Sequence, residues 1–135
     1  MANALYNTGR QAFLEGDIDW LDDTIKAVLV DTADYTPDLV NHDFLDDVSS
    51  AARVATSAAL SGKSADNGVA DAADVVFSSV SGDQAEALIL YKDTGTETTS
   101  PLIAYLDSAA GLPVSPDGSD ITVQWDNGAN KIFKL

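Results

Sequence analysis

The chain has no cysteine, which excludes a disulfide framework, thiolate metal centres and cysteine nucleophiles. It has one histidine, His42, too few imidazoles for a histidine-based metal site. Basic residues are scarce, 7 against 22 acidic ones, for a formal net charge of −15. A field of that sign repels phosphate backbones and anionic bilayers, so neither nucleic acid nor membrane is an expected partner. No apolar run approaches the roughly 18 residues of a transmembrane helix. The opening residues, MANALYNTGRQAFLEG, lack a basic segment followed by an apolar core, so no signal peptide is expected and synthesis and assembly in a cytosol are. No G-x-S-x-G elbow, P-loop or G-x-G-x-x-G is found. An enzyme is therefore not expected, and no catalytic, cofactor-binding or metal-ligating residue is assigned.

What is present is aspartate, turn signals and short apolar runs. All the acids except Glu15, Glu86 and Glu97 are aspartates, the residue that caps turns and helix starts by bonding nearby backbone N–H groups. A chain of 135 residues suits one β-rich domain, with a helical segment over 1–16 and a β core over 24–135, large enough to bury roughly two thirds of its unfolded surface. The core is organised around Ala85 to Asp107. Two apolar runs, Leu88 to Tyr91 and Leu102 to Leu106, flank a polar loop, and each run is apolar on both faces. Strands of that kind lie inside a sheet with cover above and below. Alternation places Ala87, Ile89 and Tyr91 opposite Leu88 and Leu90, and Ile103 and Tyr105 opposite Leu102, Ala104 and Leu106.

The remaining elements follow from periodicity and punctuation. Ala4 to Glu15 reads as a short helix with Leu5, Gly9, Ala12 and Phe13 on one stripe, Asn3 as its cap and Gly16 as its C-terminal glycine. Thr24 to Asp31 is a β-branched strand. Thr32 to Ser50 is irregular, with a turn at Thr36-Pro37-Asp38 and one helical turn around Phe44, Leu45 and Val48. Ala52 to Leu60 is a weak strand. Ser61 to Gly68 is a loop whose Asn67-Gly68 pair favours positive φ. Val69 to Val80 is a further strand, on which Asp71 and Asp74 fall on opposite faces and make a poor metal pair. Asp107 to Gly118 is an irregular connection. In the last segment Ile121, Val123 and Trp125 alternate with polar residues, and an odd-length turn over Asp126 to Asn130 pairs Val123 with Phe133 and Ile121 with Leu135 in a C-terminal hairpin. The expected fold is mainly β: an antiparallel sandwich or barrel of six or seven strands with a short N-terminal helix.

Four groups invite a functional reading. Asp17 to Asp23, DIDWLDD, clusters carboxylates as a hard cation requires, but it lacks the glycine and distal glutamate of an EF-hand loop; a solvated turn anchored by Trp20 and Leu21 is the favoured reading. His42 is expected to be an exposed bystander. Glu86, beside the central strand, is the one acid with an apolar neighbourhood that could raise its pKa, and a solvent-facing place near the strand end is favoured for it. Trp20, Trp125, Tyr35 and Tyr105 would have to be exposed to stack on sugars, and Tyr105 and Trp125 are expected in the core.

The blocks DWLDDTIKAVLVD, RVATSAALSGK, GVADAADVVFSSVSGDQAEALILYKDTGT and LIAYLDSAAGLPVSPDGSDITVQWDNGANKIFKL resemble a family of small structural proteins of tailed bacteriophages. The resemblance spans nearly the whole chain and is strongest from Gly68 onward, in SGDQAEALILYKDTGT and WDNGANKIFKL. It implies a place in the virion, foremost as a capsid decoration (cement) protein, often trimeric, that docks on the outer shell formed by the major capsid protein. A head-to-tail connector or tail component comes next, and a glycan- or receptor-binding module on the virion surface after that. The loop Asp93 to Ser100 is a candidate contact with neighbours in the shell.

Overall fold

The computed structural model of the chain describes residues 4–135. Its elements are β1 (Ala4–Leu5), α1 (Asn7–Leu14), β2 (Ile25–Val30), β3 (Arg53–Thr56), β4 (Val69–Ala70), β5 (Val75–Phe77), β6 (Ala87–Lys92), β7 (Leu102–Leu106), β8 (Ile121–Val123) and β9 (Phe133–Lys134). Five of the strands form one antiparallel sheet in the order β1-β7-β6-β2-β3, while β4 pairs with β9 and β5 with β8 in separate two-stranded ladders. The strands are shorter and more numerous than the six or seven expected.

The hairpin of β6 and β7 occupies the middle of the large sheet, as the doubly apolar runs require. β6 pairs with β2 along its whole length, from Ala87 opposite Val30 to Lys92 opposite Ile25. On one face Ile25, Ala27, Leu29, Leu88 and Leu90 join a cluster with Ala12 of α1, Trp20, Phe77, Val123 and Trp125. On the other, Val28, Val30, Ala87, Ile89 and Tyr91 meet Tyr35, Leu45, Val48 and Ala52 from the irregular segment. The faces of β6 match the alternation in the sequence; those of β7 do not. Leu90 pairs with Ala104 but Tyr91 with Leu102, so Ile103 is the extra residue of a bulge. The bulge sends Ile103 to the cluster of Ala104 and Leu106, and Tyr105 to that of Leu102.

The N-terminal segment divides differently from the single helix expected over Ala4 to Glu15. Ala4 and Leu5 pair with Tyr105 and Ala104 at the sheet edge, and the helix starts only at Asn7. The expected cap, Asn3, lies outside the described residues. The helix ends as read: Gly16 takes φ +78°, its N–H donates to the Phe13 carbonyl at 3.2 Å, and the Asp17 N–H donates to the Ala12 carbonyl at 2.8 Å, the paired bonds of a Schellman C-terminus. Gly9 lets α1 lie directly on β7, because a Cβ there would stand 2.6 Å from the Leu102 carbonyl oxygen.

The largest correction concerns the C-terminus, where the expected hairpin does not form. Val123 pairs with Val75 and Ile121 with Phe77, whereas Phe133 pairs with Ala70 and Lys134 with Val69. The turn after Trp125 closes on itself: the Gly128 N–H donates to Asp126 Oδ1 at 2.9 Å, and the Lys131 N–H to the Gly128 carbonyl at 3.2 Å. Lys131, at φ +47°, then redirects the chain towards β4. The expected strand Val69 to Val80 is likewise broken. Asp71 exchanges backbone hydrogen bonds with Ser64, and Asp74 Oδ1 accepts the Trp125 N–H at 3.2 Å. Ala52 to Leu60 shrinks to β3. In the loop that follows, Asn67 and Gly68 both adopt positive φ, as that pair predicts.

Candidate functional site

Carboxylates dominate the surface, and the structure shows what most of the candidates do. In the Asp17 to Asp23 loop, Asp19 Oδ1 accepts the N–H groups of Leu21 at 3.0 Å and Asp22 at 3.2 Å, and Asp23 Oδ2 accepts the Asp19 N–H at 2.8 Å. Lys92 ties the loop to β6 through Asp23 Oδ2 at 3.1 Å and the Asp17 carbonyl at 2.6 Å, and Lys63 donates to the Asp23 carbonyl. The Asp19 N–H, with Lys92 and Lys63 nearby, holds the Asp23 carboxyl below the usual range against the opposing effect of burial. The loop is a turn, with Ile18 and Trp20 as its buried anchors. Leu21, expected beside Trp20 as an anchor, is exposed, because the turn points it outward.

The acids that do converge were not singled out by the sequence. Asp31, Asp34 and Asp83 bring carboxylate oxygens within 4.8 Å of one another. Asp31 directly follows β2, Asp34 lies in the turn after it, and Asp83 comes from the turn before β6; the pairing of β2 with β6 makes them neighbours. Asp31 Oδ1 already accepts the Ala33 N–H at 2.9 Å. Three carboxylates are the donor type a hard cation uses, but Ca²⁺ takes six to eight oxygens, so the cluster alone does not complete a coordination shell.

His42 is not the bystander expected. Its Nδ1 lies 2.9 Å from Tyr35 Oη and accepts the Asp38 N–H at 3.2 Å, and Tyr35 Oη in turn lies 2.7 Å from Tyr6 Oη. A backbone N–H only donates, so Nδ1 is the acceptor in this arrangement. Burial pushes the Tyr35 phenol up to about 12 and the Tyr6 phenol further still, with the bond to Tyr35 adding to the effect. Both phenols remain protonated at neutral pH, so this hydrogen-bonded chain pins the irregular segment to Tyr6, between β1 and α1. Beside it, the Asp43 N–H donates to Asp47 Oδ2 at 2.8 Å. Burial, and then the neighbouring Asp47, raise the Asp43 carboxyl; burial opposes ionisation of Asp47 as well, but the Asp43 N–H holds that carboxyl low.

Glu86 is half-buried, and its Oε1 accepts both the N–H and the hydroxyl of Thr32 at 3.0 Å. It fastens the end of β2 instead of facing water. Arg53 extends from the edge strand to Glu97 at 2.6 Å and to the carbonyls of Val48 and Leu45, so the Asp93 to Ser100 loop is braced from below. Within that loop Thr94 Oγ1 lies 2.7 Å from Thr99 Oγ1 and 3.1 Å from Ser100 Oγ. Of the aromatic side chains considered for sugar stacking, Trp20, Tyr35, Tyr105 and Trp125 are all buried, and the indoles of Trp20 and Trp125 donate to the carbonyls of Asp71 and Ala73.

The chain matches no protein-family model and no curated protein.

Proposed function

We propose that this protein is a structural component of a tailed-phage virion, a capsid decoration protein that docks on the outer shell of the particle, assembles in the host cytoplasm and works without a catalytic, cofactor or metal site. Its partners in this reading are the major capsid protein and two further copies of itself, since symmetric oligomers fit the symmetry axes of a shell. The two small ladders act as a second layer over the large sheet in a sandwich-like arrangement.

The observation that carries the reading is how the reactive-looking side chains are engaged. Arg53 of β3 holds the Val48 carbonyl, Glu86 joins the chain after β2 to the chain before β6, Asp23 is tied to Lys92 of β6, Asp74 holds the Trp125 N–H beyond β8, and His42 closes its own loop on Asp38 and Tyr35. Such bracing suits a protein whose task is to hold its shape under load. The resemblance of its strand and turn blocks to phage structural proteins agrees with this, and an acidic exterior disfavours aggregation of particles that carry many copies.

Quantitative mass spectrometry of purified particles tests the proposal. A copy number comparable to that of the major shell protein is expected. A handful of copies would place the chain at the neck or tail, and its absence from particles would overturn the structural reading.

A further inference from the structure

Four of the seven basic side chains are engaged within the chain: Lys26 with Asp93 at 2.7 Å, Lys92 with Asp23, Arg53 with Glu97, and Lys63 with the Asp23 carbonyl. The other three, Arg10, Lys131 and Lys134, form no ion pair among the described residues. All three line one cavity of about 310 Å³. On a molecule of net charge −15, the unpaired cations have been gathered at a single place.

The backbone around that cavity is unusual as well. The lining includes Ala4 and Leu5 of β1, which among the described residues pairs with β7 alone, and Phe133 and Lys134 of β9, which among them pairs with β4 alone. Two open strand edges therefore flank a cleft whose lining includes Leu106, Ile132 and Phe133. An open edge offers backbone N–H and C=O groups to an added strand, and a strand alternates its side chains between two faces. A segment lying here would turn every second side chain towards the apolar lining and the intervening ones towards the cations. Asp126 also lines the cavity, where its Oδ1 accepts the Gly128 N–H. An adjoining recess of about 400 Å³ shares Lys131 and Lys134 but adds Asp66 and Asp71, so its charged lining is balanced, whereas that of the cavity with Arg10 is net positive. At physiological salt, charges beyond roughly 8 Å are largely screened, so these local cations outweigh the distant acids in a contact.

We propose that this cleft takes an extended acidic peptide segment of a partner protein, with Asp or Glu alternating with apolar residues, added as a strand between β1 and β9. The site is independent of whether the partner belongs to a virion.

The test titrates the full-length protein with an acetylated, amidated hexapeptide of alternating Asp and Val, and with its Lys–Val counterpart, followed by backbone amide chemical shifts. Saturable shifts at residues 4–5, 104–106 and 131–134 are expected with the acidic peptide only. Lys131→Glu combined with Lys134→Glu should weaken binding about tenfold, and Arg10→Glu, on a separate element, should weaken it in the same direction. No saturable shift at millimolar peptide, equal binding of the Lys–Val peptide, or shifts centred elsewhere would overturn the proposal. So would self-association by sedimentation that the double variant abolishes, because the occupant would then be a second copy of this chain.

Discussion

Gly9 stands in the helix interior, where alanine would ordinarily stabilise by roughly 1 kcal/mol. Here the added Cβ would meet the Leu102 carbonyl at 2.6 Å, and backbone cannot swing aside as a side chain does. Gly9→Ala is therefore expected to destabilise by about 2 kcal/mol, read from the denaturant midpoint; an unchanged or raised midpoint would contradict the close packing of α1 on β7. Asp43 works in the other sense. Its folded-state pKa is raised, so its contribution to stability is present at low pH and is lost as pH rises through that pKa. Asp43→Asn should raise the melting temperature at pH 7, and the gain should vanish once both carboxyls protonate in acid. Of these residue-scale features, the buried side of α1 at Gly9 and Ala12 was legible in the helical spacing, although Leu5 of the same expected stripe lies in β1. The Asp43 and Asp47 pair was not, because a helical-turn pattern says nothing about burial.

At the scale of elements, the central hairpin and the C-terminal segment differ in how local their information is. β6 carries Leu90 fully buried between two hydrogen-bonded neighbours, and Leu90→Ala should cost about 4 kcal/mol. Phe133 is only half-buried, packed edge-on to Trp20 at 5.3 Å and tilted to Phe13 at 5.9 Å. Phe133→Ala should cost roughly half as much, about 2 kcal/mol, with both variants compared by urea denaturation. Equal losses would mean that β9 is as deep in the fold as β6. The β6–β7 pairing was readable because each strand is apolar on both faces and a short polar loop joins them. The separate partners of β8 and β9 were not, since Asp-Asn-Gly is a turn signal whether or not the flanking strands meet. What separates them is the self-closing turn at Gly128 and the positive φ of Lys131, together with the competing partners β4 and β5.

For the whole molecule, charge sets the response to solvent. With a net charge of −15 the folded state repels itself, so adding sodium chloride at neutral pH should raise the melting temperature. A fall would indicate that the ion pairs of Lys26, Lys92 and Arg53 outweigh the general repulsion. Acid acts through specific groups. The ammonium of Lys26 and the N–H of Gly95 hold Asp93 below its ordinary range, and the Asp19 N–H does the same for Asp23. Depressed carboxyls contribute stability that is present above their unfolded values, near 4, and is lost as pH falls through the folded ones. Stability should therefore decline below about pH 4, a trend that thermal melts between pH 3 and 7 would reveal.

Local chemistry was enough to specify several features: an antiparallel, mainly β chain, its central strand pair, the Gly16 helix stop, the positive φ at Asn67 and Gly68, and an acidic exterior. Each depends on residues close in sequence, where periodicity and turn preference act directly. Tertiary structure alone decided the Ile103 bulge, the exchange of hairpin partners at the C-terminus, the meeting of Asp31 with Asp83, and the gathering of Arg10, Lys131 and Lys134 around one cleft. These depend on which distant segments bury each other, and strand pairing across a long loop is chosen by total burial and hydrogen bonding, which no short window of sequence contains.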